Sequence, residues 1–255
     1  MGPSPTRRLL SIARVAGVGA ALAIAVVASV GVRRCLVVHA ATRAAALAAS
    51  SGGAADTALR VPHAPASIVI DGDTDDPGWL EAPGPARTGP FVFANGAPAR
   101  PYSEARLLWG DEHLYVTLYA ADEDIRARTN QPDGPLWIDD SFRMVFAQGG
   151  VEYSIELSAS GAMTDAIRKN GGAPDYSWSS GAHVSHEMDG TLNDPTDMDE
   201  EWVLEIAIPF ASIGMAGERG ERIGLTIHRC DTPKGSPRVC SGWGEGEDHG
   251  RIQLD

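Results

Sequence analysis

The chain has 255 residues, enough for one large domain or two small ones, and 34 acidic against 21 basic side chains give it a net charge of −13. So acidic a surface, with Lys169 and Lys234 as its only lysines, excludes nucleic acid and anionic headgroups as general partners and suits neutral ligands or cations. The sequence also contains no glycine-rich phosphate loop, no G-x-S-x-G nucleophile elbow and no CxxC pair.

The first elements are apolar. Residues 15–32 carry no charge; Arg7, Arg8 and Arg14 precede them, Arg33 and Arg34 follow, and the first acidic residue is Asp56. This pattern predicts a hydrophobic leader over residues 1–40, either a signal peptide or an uncleaved anchor helix. Thr6–Leu10 resembles a twin-arginine export signal. Val38-His39-Ala40 offers small residues for cleavage, whereas Arg33 and Arg34 interrupt the approach to them. Near-equal arginine counts on the two sides do not set an orientation. Both forms imply export to a periplasmic, cell-surface or secreted location, with membrane contact only through residues 15–32. Residues 41–58 are rich in Ala, Ser and Gly and read as a linker.

From Leu59 onward, short apolar runs alternate with Gly, Pro, Asp and Asn. Ser67–Ile70 reads as a short strand. Glu104–Trp109 and His113–Ala120, joined by Gly-Asp-Glu, read as a hairpin. Residues 140–147 place Phe142, Met144 and Phe146 on one face, and 151–158 place Tyr153, Ile155 and Leu157 inward. His183–Met188, Trp202–Ile208, Ile223–Cys230 and Arg251–Leu254 complete the strands, and Phe210–Met215 forms one helical turn. In the stretch 202–208, Trp202, Leu204, Ile206 and Ile208 share a face, the period of a strand lying on a core. Many short strands separated by turn signals predict an all-β domain over residues 59–255, an antiparallel sandwich of jelly-roll or immunoglobulin-like type.

Of the three cysteines, Cys35 falls in the leader, while Cys230 and Cys240 flank a Pro/Gly/Ser loop between two strand-like runs. In an oxidising compartment this spacing supports a cross-hairpin disulfide; two free thiols are the alternative. Catalytic constellations are poor. Asp139/Asp140 and Glu200/Glu201 are sequence neighbours, so on a strand each pair points to opposite faces and forms no acid/base couple. His183 and His186 also point apart and lack a third metal ligand. The sequence DGDTDD at 71–76 begins like an EF-hand loop, but Asp76 stands where glycine is required and Ala82 where the bidentate glutamate belongs.

Four segments in order carry a family resemblance: IDGDTDDPGW at 70–79, ARLLWGDEHLYVTLYAADEDI at 105–125, LWIDDSFRMVF at 136–146 and the stretch from Gly190 to Pro209. Together they resemble the family-9 carbohydrate-binding module, a β-sandwich often attached to secreted xylan-degrading enzymes. The resemblance implies non-catalytic binding of a poly- or oligosaccharide, as an accessory to glycoside hydrolases in polysaccharide catabolism. Trp137 and Trp243 are the implied stacking residues, since two indoles can sandwich a pyranose ring; a tryptophan in a sandwich also fills core, and both roles stay open. Trp178 is a further binding candidate, or an edge or core landmark, while Trp79, Trp109 and Trp202 are packing residues. Arg143 stands where sugar-binding relatives carry Glu, and Ser154 where an arginine is expected, so Arg143 could favour a carboxylated sugar. The resemblance also implies structural calcium, for which Asp194, Asp197 and Asp199 could supply oxygens; a solvated acidic loop is the alternative. Two other functions remain open. Related sandwiches bind haem b through Met or Lys and His, for which Met144, Met163, Met188, Lys169 and His228 are available, and a surface scaffold or adhesion domain needs no sugar site.

Overall fold

The computed structural model describes residues 58–129, 131, 133–245 and 250–255. The leader, and the linker up to residue 57, lie outside the described residues. Among the described residues twelve strands run in chain order as β1 (Leu59–Val61), β2 (Ala86–Arg87), β3 (Ser103–Trp109), β4 (His113–Ala121), β5 (Ser141–Gln148), β6 (Val151–Ser158), β7 (Met163–Lys169), β8 (His183–Asp189), β9 (Glu201–Pro209), β10 (Arg222–Asp231), β11 (Val239–Trp243) and β12 (Gly250–Leu254). One sheet has seven strands, ordered β1-β12-β10-β5-β6-β7, with β11 also paired to β10. The other has five, ordered β2-β3-β4-β9-β8. The β1–β12 pair is parallel, and the other strand pairs described are antiparallel. The expected sandwich is therefore present.

Its core follows from period-two alternation. Phe142, Met144 and Phe146 of β5, with Ile155 and Leu157 of β6, point inward from the larger sheet. Leu114, Val116 and Leu118 of β4, with Trp202, Leu204, Ile206 and Ile208 of β9, meet them from the smaller one. Phe142 and Trp202 join the two layers edge to face, ring centroids 5.0 Å apart.

Ser67–Ile70 is not a strand. Its backbone is held instead by side chains: the Val69 amide donates to Asp76, and the Asp71 and Gly72 amides donate to Glu205 Oε2 on β9. The segment continues into a single helical turn, α1 (Pro77–Leu80), opened by a proline at its first position. Trp79 of that turn donates its indole N–H to Glu205 Oε1 at 2.8 Å. The IDGDTDDPGW motif thus folds over the outer face of β9 and satisfies a fully buried glutamate. Gly72 has φ +105°, and a Cβ there would lie 2.9 Å from the His186 carbonyl oxygen, so this turn admits only glycine. Trp79→Phe, which keeps the ring and removes the donor, is expected to cost about 1–3 kcal/mol in urea unfolding.

Candidate functional site

The alternation that buries one face of β5 presents Arg143 and Val145 on the other, the outer face of the seven-stranded sheet. Register continues the row on both sides. His228 of β10 stands opposite Arg143, Arg143 opposite Glu156 of β6, and Glu156 opposite Thr164 of β7. Around this row lies a cleft of about 590 Å³, walled by Ser141, Ser154, Asp165, Arg238 and the Cys230–Cys240 pair, with Trp137 and Tyr176 also lining it. That volume is in the range of small-ligand clefts. A second cavity, about 410 Å³, shares Arg143 and His228 and extends the track past Val145, Glu152, Arg168 and Thr226.

Several of the wall residues have an evident support. Trp137 sits on a 3₁₀ turn, Leu136–Ile138, pinned by fully buried Leu136. Just beyond it, Asp139 accepts the Arg128 and Thr129 amides, and Asp140 accepts those of Arg126 and Thr232. Arg238 donates to the Asp139 carbonyl at 2.6 Å. Asp165 is committed to the Ser180 amide at 2.6 Å. His228 Nδ1 pairs with Glu245 at 2.8 Å. Burial pushes the Glu156 carboxyl above the usual carboxylate range, and Arg143 and Arg238 pull it back.

Trp137 is 60% exposed, and among the chain's six tryptophans it alone ranks as exposed. Tyr176, on the loop between β7 and β8, is 54% exposed. The cleft therefore offers bare aromatic surface beside a row of charged and hydroxyl groups. The expected disulfide closes its floor: Cys230 and Cys240 are register partners with Cα atoms 4.1 Å apart. Its ten-residue span predicts that reduction costs about 2–3 kcal/mol, measurable as a lower denaturant midpoint in reductant.

Behind the floor lies a buried ionic cluster. Asp122 follows β4, Asp140 precedes β5 and Asp231 ends β10, and each is at most 2% exposed. Arg229, equally buried, donates to Asp122 at 2.9 Å and to Ser103 at 3.1 Å. Trp202 donates its indole N–H to the same Asp122 oxygen. Burial, with the Asp122 charge next, pushes Asp140 up to about 7; burial pushes Asp231 up to about 6 against the pull of Arg229.

Among solved structures, a Bacteroides uniformis ATCC 8492 protein provisionally assigned as carbohydrate-binding superposes with TM-score 0.61 at 15% identity, over 78% of this chain and 99% of its own. A family-9 carbohydrate-binding module from Caldicellulosiruptor kristjanssonii, in complex with cellotriose, gives TM-score 0.52 at 17% identity over 77% of this chain and 93% of its own. A complex of a family-9 module from that organism with glucose gives 0.54 at 16% identity, over 77% and 95%. The fold is that of the family-9 carbohydrate-binding modules. No family model matches the sequence, and no curated protein does.

Within this family-9-like frame the implied residues separate. Trp137 and Arg143 line the cleft, as does Ser154. Trp243 does not: it stands opposite Ile227 in the ladder and packs, partly buried, against the core. Trp178 leans on Tyr153, ring centroids 5.7 Å apart, and is likewise absent from the lining. The second aromatic of the cleft is Tyr176, unmarked by the motifs but flagged by its setting in a glycine-rich polar loop, where no core could claim it. Glu156 stands directly across from Arg143 on the next strand.

The acidic-loop aspartates do not converge. Asp199 is buried with its oxygens taken by the Ile125 and Thr191 amides. Asp194 closes a turn onto Thr196, and Asp197 contributes its backbone carbonyl to Lys234. Of the haem candidates, the pair Met144 and His228 does not converge: Met144 is sealed between the sheets, whereas His228 lines the outer cleft. Both belong to the same sheet, so they face opposite ways and cannot flank one iron.

Proposed function

We propose that this protein binds carbohydrate in the outer-face cleft without acting on it. The observation that carries this reading is Trp137, the one exposed tryptophan, set at a cleft lined by Arg143, Glu156, Thr164 and Arg238. A sugar ring presents C–H groups to an indole face and hydroxyls at its rim, and such a wall offers both donors and acceptors. The family-9 modules of like fold were solved with cellotriose and glucose, which favours a β-linked oligosaccharide here. Arg143 adds affinity for a carboxylated residue within the chain. Catalysis has no support: Asp165 is held by Ser180, and Glu156 lies between two arginines rather than facing a second free carboxylate. The apolar, arginine-flanked leader supports an exported protein that recognises polysaccharide outside the cytoplasm.

Screening the full chain against neutral and uronate-containing oligosaccharides tests the proposal. Saturable binding that is lost in Arg143→Ala for the uronates alone supports both parts. No binding to any glycan leaves a scaffold or adhesion domain and overturns the reading.

A further inference from the structure

We infer that the cleft and the second cavity are adjoining subsites of one open groove, which holds an internal stretch of an oligosaccharide with an acidic unit at the Trp137 end and a neutral unit beyond Arg143. The inference rests on the carbohydrate reading above and extends it to chain length and to the placing of charge. Both cavities are lined by Arg143 and His228, so one ligand can pass from the first into the second.

Register shows how the sheet builds the second half. Thr226 stands opposite Val145, Val145 opposite Ser154 and Ser154 opposite Ala166, a row of short side chains crossing β10, β5, β6 and β7. Beside this low row runs the ridge of Arg143 and Glu156, and on its other side stand Glu152 and Arg168, partners across β6 and β7. With strands about 4.8 Å apart, the low row measures about 14 Å, longer than a single sugar ring. Trp137 and Tyr176 are exposed beside the first cavity, Arg168 and Glu245 beside the second. Neither end is walled off, so a chain can enter and leave.

Ion pairing divides the two halves chemically. In the second cavity Arg168 Nε donates to Glu152 at 2.7 Å, and His228 Nδ1 pairs with Glu245 at 2.8 Å. Gly242, opposite His228 in the β10–β11 ladder, makes room for that carboxylate: a Cβ there would lie 2.6 Å from Glu245 Oε1. These paired charges can bond hydroxyls, whereas a ligand carboxylate would have to displace Glu152 or Glu245. In the cleft, Arg143 and Arg238 take part in none of the salt bridges among the described residues. Arg238 is anchored on the Asp139 carbonyl, and Asp165 is held by the Ser180 amide. The fork of Arg143 is thus unclaimed by a protein carboxylate and suits one from the ligand.

Isothermal titration of the full chain tests this with three probes: a uronate-containing disaccharide, the same disaccharide extended by two neutral β-linked glucose units at one end or the other, and a tetrasaccharide of uronates throughout. The better-bound extended probe should bind at least about tenfold more tightly than the disaccharide, and the all-uronate probe no more tightly than the disaccharide. Reducing the terminal aldehyde of the extended probe should leave its Kd within about twofold. Glu152→Ala combined with Arg168→Ala should bring the extended-to-disaccharide ratio down to about two or less, whereas Trp137→Ala should weaken both probes alike. Equal affinity for the two lengths in the parent, or an undiminished ratio in the double variant, overturns the extended groove. Tightest binding of the all-uronate probe overturns the placing of charge, and loss of binding on reduction overturns the internal mode. Binding of no probe at all overturns the carbohydrate reading and this inference with it.

Discussion

Replacing Trp137 with alanine is expected to weaken glycan binding by roughly thirtyfold or more, the loss typical of an aromatic anchor worth about 2 kcal/mol. The same change should leave the unfolding midpoint within about 2 °C of the parent, because a side chain 60% exposed contributes little to the core. That combination is diagnostic. Truncating a packing tryptophan such as Trp202, which is fully buried, would cost several kcal/mol and lower binding only by unfolding the chain. Tyr176→Ala should produce a smaller loss in the same direction. If Trp137→Ala binds as the parent does, sugar recognition lies elsewhere on the molecule.

The largest effect on stability is expected from Arg229→Met. Among the described residues Arg229 is the guanidinium in direct contact with Asp122, and it stands 3.6 Å from Asp231. Removing it leaves carboxylates buried without their counter-ion, which costs about 3–5 kcal/mol. For a domain of this size the thermal midpoint should fall by about 10 °C or more. Adding Asp122→Asn to Arg229→Met should recover part of the loss, since the uncompensated charge, not the missing methylenes, is the cause. Full additivity of the two changes in a double-mutant cycle would contradict this assignment.

How much of this was legible in the sequence differs by element. Strands β4, β5, β6 and β9 were readable because one face is core and the other is polar, as Phe142, Met144 and Phe146 against Arg143 illustrate. Strand β7 was not, because Thr164, Asp165 and Arg168 break the apolar period at an edge whose outer face lines a polar cleft. The position of Trp243 was recoverable from the disulfide alone. With Cys240 facing the cleft, a residue three places further along the same strand must point the other way. The buried acidic cluster could not be read locally, since more than a hundred residues separate Asp122 from Asp231 and only the pairing of β5 with β10, with the sheet of β4 packed against theirs, brings them together.

Binding in the outer-face cleft is best followed by amide chemical-shift mapping during titration with a cello- or uronate-containing oligosaccharide. Saturable shifts are expected along the outer row His228, Arg143, Glu156 and Thr164, around Trp137, and in the Tyr176 loop, with β3, β4 and β8 of the opposite sheet unmoved. Shifts confined to that opposite sheet would contradict binding in the cleft.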